Sequence, residues 1–147
     1  MGTVFDLSFL LIAPFWLLMI LAPRWHVTRR LVASPLIAVG PALVYAVVLL
    51  PVIGLVLPLV AQPTLPEIAA LLGTPRGATL GWLHFLAFDL LIARLIYLDL
   101  EPRGVSALIL APLFVLTLLL GPVGYLVYLV LRMRQRPDAL RRTPEAA

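Results

Sequence analysis

No cysteine and no lysine occur among the 147 residues, histidine appears twice, and charged side chains make up only 12% of the chain. The absence of cysteine excludes disulfides, thiolate nucleophiles, thioether-linked haem and iron–sulfur ligation as intrachain chemistry. Two histidines, with no second HxxH-type pair and no ExxH, exclude a di-iron histidine cluster of the desaturase or hydroxylase kind. No Gly-rich phosphate loop, GxSxG elbow or metal motif is present, so neither a metal nor a cofactor is expected. The scarcity of charge excludes an ordinary soluble domain, in which charged residues approach a quarter of the total. The net charge of +4 comes from arginine alone, and no long basic stripe interleaved with aromatics suggests a nucleic-acid partner.

What the chain has is apolar length. Hydrophobic residues account for 63% of it, and its mean hydropathy is +1.09. That composition predicts an all-α integral membrane protein whose first partner is the lipid bilayer. The expected architecture is a single polytopic domain over residues 1–131, with four transmembrane helices near 4–22, 36–60, 81–99 and 106–131. Residues 132–147 read as a basic, flexible tail. The second run, Leu31 to Ala61, contains Pro35, Pro41, Pro51 and Pro58. It is either one long kinked helix or a span plus an embedded segment, which would make five crossings. Between spans two and three, Thr64, Pro66, Glu67 and Gly73 mark a short interfacial helix.

The start, "MGTVFDLSFLLIAP", lacks a basic n-region and a small-x-small cleavage pattern, so it is expected to remain as a span. Asp6 stands where a myristoylation motif wants Ser or Thr. Four spans with both termini in the cytoplasm put Arg76, Arg132, Arg134, Arg136, Arg141 and Arg142 inside, and Arg24, Arg29, Arg30 and Arg103 outside. The positive-inside rule is nearly indifferent to that division. The expectation is an inner-membrane protein of bacterial type with cytoplasmic termini, and a fifth crossing would place both basic clusters inside.

The third span poses the functional question, because it carries His84, Asp89, Arg94 and Asp99 at five-residue steps. A central Asp or Arg costs about 2.5–3.5 kcal/mol on insertion, and each Leu, Ile or Phe returns about 0.3–0.6 kcal/mol. The ten Leu, Ile and Phe side chains between Trp82 and Leu98 only roughly offset Asp89 and Arg94. At about 100° per residue the four groups point in several directions, so this helix should be central in the bundle. Asp89 is either a carboxylate bonded to neighbouring helices or a functional group. Arg94 is its partner, a partner of another acid, or a ligand-binding group. His84 is a hydrogen-bonding residue near one interface or part of the same site. Asp99 is expected to be solvated or paired with Arg103. In the fourth span Gly121 and Pro122 interrupt the helix, and Tyr125, Tyr128 and Arg132 share one face. They form either a kink with interfacial tyrosines or a close approach that offers phenols to Asp89 or a ligand.

"WLHFLAFDLLIARLIYLDL" (Trp82 to Leu100) and "LLLGPVGYLVYLVLR" (Leu118 to Arg132), preceded by "FWLLMILAPRW", resemble the ABA4-like family of small membrane proteins. The resemblance rests chiefly on Trp82, His84, Asp89, Leu90 and Arg94, with Gly121, Pro122 and Gly124 as structural positions. It implies a role in carotenoid metabolism, since plant members are required for conversion of violaxanthin to neoxanthin. That conversion is a redox-neutral isomerisation, an epoxide opening as a neighbouring carbon loses a proton, and it needs an acid and a base but no metal or nucleotide. On this reading Asp89 and His84 are the catalytic pair, while Arg94, Trp82, Tyr125 and Tyr128 bind the substrate. The expected ligand is a carotenoid or other isoprenoid, and the expected protein partners are pigment-pathway enzymes or a second copy of the chain. The alternatives are a non-catalytic carotenoid-binding or assembly factor, and a small transporter using Asp89 and Arg94.

Overall fold

Proline sets the breaks in the apolar runs of the computed structural model, which describes residues 1–134. Helices α1 (Gly2–Ser8) and α2 (Ala13–Leu21) are joined by a 3-10 turn over Phe9–Leu11. Pro14 follows that turn. It has no N–H, and its ring crowds the carbonyl four residues back, so the α-helical ladder tightens before it. After α3 (His26–Ala33), Pro35 opens a second 3-10 turn, where Ser34 Oγ accepts from the Leu36 N–H at 3.2 Å. Pro51 lies in a third, between α4 (Val39–Leu49) and α5 (Ile53–Ala61).

Two composite helices result, Gly2–Leu21 and Pro35–Ala61, both long and apolar enough to cross a membrane. Of the alternatives for the second run, the chain adopts the long kinked helix. Only 22% and 11% of their most apolar windows is buried inside the protein. The core helix of a soluble protein would be mostly covered, whereas these present Leu and Val faces suited to hydrocarbon.

The short helix expected after the second run is α6 (Leu65–Leu72), with Thr64 Oγ1 donating to Glu67 at 2.6 Å. Then α7 (Pro75–Leu100) begins earlier than the expected position 81. Thr74 Oγ1 accepts from the Gly77 N–H at 3.0 Å and Pro75 occupies the first helical position, a start signal that extends the helix through residues read as loop. As expected from its scattered polar groups, α7 is central. It packs against α1, α3, α4 and α6. Its buried positions Leu83, Leu86, Leu90, Ala93, Ile96 and Leu100 recur at helical spacing.

Side-chain contacts fix the directions. Phe5 meets Trp82 with ring centroids 5.5 Å apart, and the Tyr97 hydroxyl donates to the Pro23 carbonyl, so α1 and α2 run parallel to α7. Helix α3 lies across the far end, where Arg29 pairs with Glu101 at 2.6 Å. The chain then returns, Ser34 lying beside Arg94 and Tyr45 beside His84.

The last apolar run departs from expectation. Residues 106–131 do not form one span: α8 (Ala107–Leu119) and α9 (Gly121–Arg134) are an antiparallel pair with only Leu120 between them. Helix α8 runs back along α7, bringing Phe114 to 6.2 Å from Tyr97. Helix α9 runs forward again, from Gly121 beside Asp89 to Tyr128, whose hydroxyl donates to Asp99 at 3.1 Å. A Cβ on Gly124 would lie 2.6 Å from Thr117 Cα, an approach that only glycine permits. Pro122, lacking an N–H, sits in the first turn, where none is needed. The Gly-Pro pattern that read as a kink or a close approach is the tip of a hairpin. The flexibility expected of residues 132–147 concerns, beyond Arg134, a segment outside the described residues.

Candidate functional site

The hairpin tip, the middle of α7 and the turn between α1 and α2 line an open-sided cavity of about 670 Å³. Its walls are mainly apolar, with Phe9, Trp82, Phe85, Phe88, Ile92 and Leu118 among them. Three side chains in the lining can exchange a proton: Asp89, His84 and Tyr125. Size and character match a site for a small apolar molecule fixed by a few polar groups.

Asp89 is half-buried in the cavity wall. Its carboxylate lies against Gly121, where an added Cβ would come within 2.0 Å of Oδ1. The first turn of α9 thus meets a carboxylate, an arrangement that the positive end of a helix favours. Among the described residues no hydrogen bond or ion pair occupies Asp89, which leaves its oxygens to the cavity. His84, one and a half turns earlier, stacks on Phe88 at 4.5 Å between centroids and has Tyr45 at 6.0 Å on another side. Its ring is exposed, at the cavity's edge. Trp82 lines the cavity and braces it against Phe5 of α1.

Arg94 is elsewhere. Its Nη2 donates to the Ala33 carbonyl at 2.8 Å and its Nε to the Ser34 carbonyl at 3.2 Å. A cation there satisfies the carbonyls at the end of α3 and suits the negative pole of that helix. It neither pairs with Asp89 nor lines the cavity, so the structure does not bring it together with the other residues expected to bind substrate.

Tyr128 does not line the cavity either. It is 1% exposed, and its hydroxyl is committed to Asp99. Asp99 also pairs with Arg103 at 2.7 Å, the partner expected from sequence, and with Arg132 at 3.4 Å. Together these contacts tie the open ends of the hairpin to α7. Of the two tyrosines only Tyr125 reaches the cavity; it contacts Tyr128 with centroids 5.5 Å apart. Gly121 and Pro122 line the cavity as its tip, while Gly124 lets α8 and α9 touch.

Sequence reasoning missed Phe9, Phe85, Leu86, Phe88, Ile92 and residues 118–120 as cavity walls, and for residues 118–120 a signal was available in the adjoining Gly121-Pro122-x-Gly124 pattern. Among the described residues no three acidic or histidine side chains gather to hold a metal. In comparisons with known proteins, the family model described as "ABA4-like: ABA DEFICIENT 4-like" matches residues 3–128. No curated protein and no solved structure matches the chain.

Proposed function

The chain belongs to the ABA4-like family, and from that premise we propose that it is an integral membrane protein that takes an oxygen-bearing carotenoid, or a related isoprenoid, into the Asp89 cavity. The family relates the chain to carotenoid metabolism. One observation carries the reading to this site: a cavity of about 670 Å³ with apolar walls holds a carboxylate that no described neighbour occupies. An isoprenoid end group and the start of its polyene chain would face Phe9, Phe85, Phe88 and Leu118, and Asp89, His84 and Tyr125 are the groups positioned to address its oxygen.

The reaction is a redox-neutral isomerisation of an epoxide end group. One member of the pair Asp89 and His84 delivers a proton to the epoxide oxygen as the carbon–oxygen bond breaks. The other removes a proton from a neighbouring carbon, whose electron pair becomes the new double bond. One proton enters and one leaves, so the product has the composition of the substrate. Tyr125 orients the oxygen, the role expected earlier of Arg94 or a tyrosine. Apolar walls exclude water that would otherwise capture the cation-like centre.

A second reading, a pigment-binding or assembly factor without turnover, draws on the position of His84. That ring is held by Phe88 and Tyr45 and makes no hydrogen bond to Asp89 among the described residues. The test is liquid chromatography of pigments from a carotenoid-producing bacterial host expressing the wild type, Asp89→Asn or His84→Ala at matched levels. A new carotenoid isomer made by the wild type and lost in both variants supports catalysis. Pigment that co-purifies with the wild type but is unchanged in composition supports the binding reading instead. Full activity in both variants would remove Asp89 and His84 from the mechanism.

A further inference from the structure

The hairpin changes how the charges of the chain are sorted. Arg24, Arg29 and Arg30, in and before α3, lie at the Asp99 end of α7, as Arg29–Glu101 and Tyr97–Pro23 require. Arg103 and Arg132 are at the same end through Asp99, and Arg134 follows about half a turn later. Among the described residues, six arginines therefore meet only two carboxylates there, Asp99 and Glu101. At the opposite end, by Phe5 and Trp82, the charged side chains among the described residues are Asp6, Glu67 and Arg76. A single crossing over 106–131 would have separated Arg103 from Arg132 by the thickness of a bilayer. The observed hairpin unites them.

We infer that the arginine end is a surface for the anionic lipid headgroups of the cytoplasmic leaflet. On this topology the chain crosses the membrane three times, and α8 and α9 enter and leave from that leaflet as a re-entrant hairpin. The inference rests on the membrane reading given above. Helix α3 lies across this end with Arg29 and Arg30 exposed and Val32 and Thr28 buried, the disposition of a helix in the plane of the interface. Trp25, exposed beside Arg24 and His26, stands at headgroup depth. The 13 and 14 residues of α8 and α9 are each about 20 Å long at 1.5 Å per residue, too short for a bilayer core of about 30 Å. Irregular backbone at membrane depth is stable only where protein or a cavity covers it, and the tip at Leu120 and Gly121 lies against Asp89 and lines the cavity. The positive-inside rule, nearly indifferent for four spans, becomes decisive: the arginine end is cytoplasmic and Met1 lies across the membrane from it.

The absence of native cysteine makes the test direct. Single substitutions His26→Cys, Pro102→Cys and Met133→Cys mark the arginine end, and Gly2→Cys and Gln62→Cys mark the other. A membrane-impermeant maleimide is applied to intact spheroplasts and to inverted membrane vesicles. The first three are expected to react in inverted vesicles only, and the last two in spheroplasts only. Reaction of Met133→Cys from the side opposite Pro102→Cys would overturn the hairpin, and reversal of both sets would overturn the anionic-leaflet assignment. Carbonate extraction keeps the two readings apart. Release of the protein would overturn the membrane reading and this one with it, whereas an embedded protein with other labelling overturns this one alone. Reconstituted with phosphatidylglycerol, the protein is expected to melt higher than in phosphatidylcholine alone. The difference should shrink in Arg24→Gln/Arg30→Gln, and an equal difference in that variant would count against headgroup binding.

Discussion

Gly121 and Gly124 stand three residues apart on one helix, and replacing either with alanine adds the same methyl group. The consequences should differ in kind. At 121 the new Cβ would fall 2.0 Å from Asp89 Oδ1 and 2.9 Å from its Cγ, so the end of a side chain must rotate away. At 124 it would fall 2.6 Å from Thr117 Cα, and main chain can yield only if α8 and α9 separate. Overpacking costs about 1–3 kcal/mol, and alanine returns up to about 1 kcal/mol of helix propensity. Gly124→Ala is therefore expected to lose on the order of 1–2 kcal/mol of stability. Gly121→Ala should stay near wild-type stability while its displaced carboxylate cuts isomer formation. Thermal unfolding in detergent micelles reads the first effect, and pigment chromatography at matched expression reads the second. A double-mutant cycle sharpens the test, because Asp89→Ala removes the atoms that the new methyl meets. Adding Gly121→Ala to Asp89→Ala should change little. Thr117→Ala leaves Thr117 Cα in place and should relieve Gly124→Ala only in part. A Gly124→Ala protein that melts at or above the wild type would refute the close approach of α8 and α9. A cycle at 89 and 121 in which the two effects simply add would refute the contact between the tip and Asp89.

Three further outcomes follow from the contacts of Arg94, Asp99 and Tyr97. Arg94→Gln loses charge-assisted bonds to two carbonyls and should cost about 1.5–3 kcal/mol in thermal unfolding, while isomer formed per folded molecule stays close to wild type. Asp99→Ala frees Arg103, Arg132 and Tyr128 together; each partly solvated pair is worth up to about 1 kcal/mol, so the loss should be modest, reduced by salt, and accompanied by faster proteolysis near Arg132. Tyr97→Phe strands the buried Pro23 carbonyl and should lower stability by about 1–3 kcal/mol, measurable as a shift in melting.

The long helices were legible because hydropathy and proline spacing are local properties. The second run resolved into one kinked helix in which 3-10 turns absorb Pro35 and Pro51, while Pro41 sits near the start of α4 and Pro58 is accommodated inside α5. The centrality of α7 was legible from the scatter of its charged groups around the helix. What stayed hidden depended on partners distant in sequence. Arg94 looked like a mate for Asp89, yet its acceptors are main-chain carbonyls of Ala33 and Ser34, which no side-chain pattern announces. Tyr128 and Arg132 were correctly placed on one face with Tyr125, but only the fold shows that Asp99 claims the first two. The hairpin escaped because hydropathy averages over Leu120 without registering a change of direction. Thr74 and Pro75 marked the start of α7, but the surrounding glycines made the segment read as loop.

A chain made from its N-terminus completes α7 before the hairpin exists. Residues 107–134 arrive last, and with them come the Leu118, Gly121, Pro122 and Tyr125 walls of the cavity. On the proposed membrane placement, until they dock Asp89 would face the bilayer with that side uncovered, an expensive position for a carboxylate. A truncated or misassembled molecule would thus display a polar mark at mid-membrane depth that a finished one conceals. The same carboxylate proposed to address the substrate would identify incomplete copies to the proteases that survey the membrane.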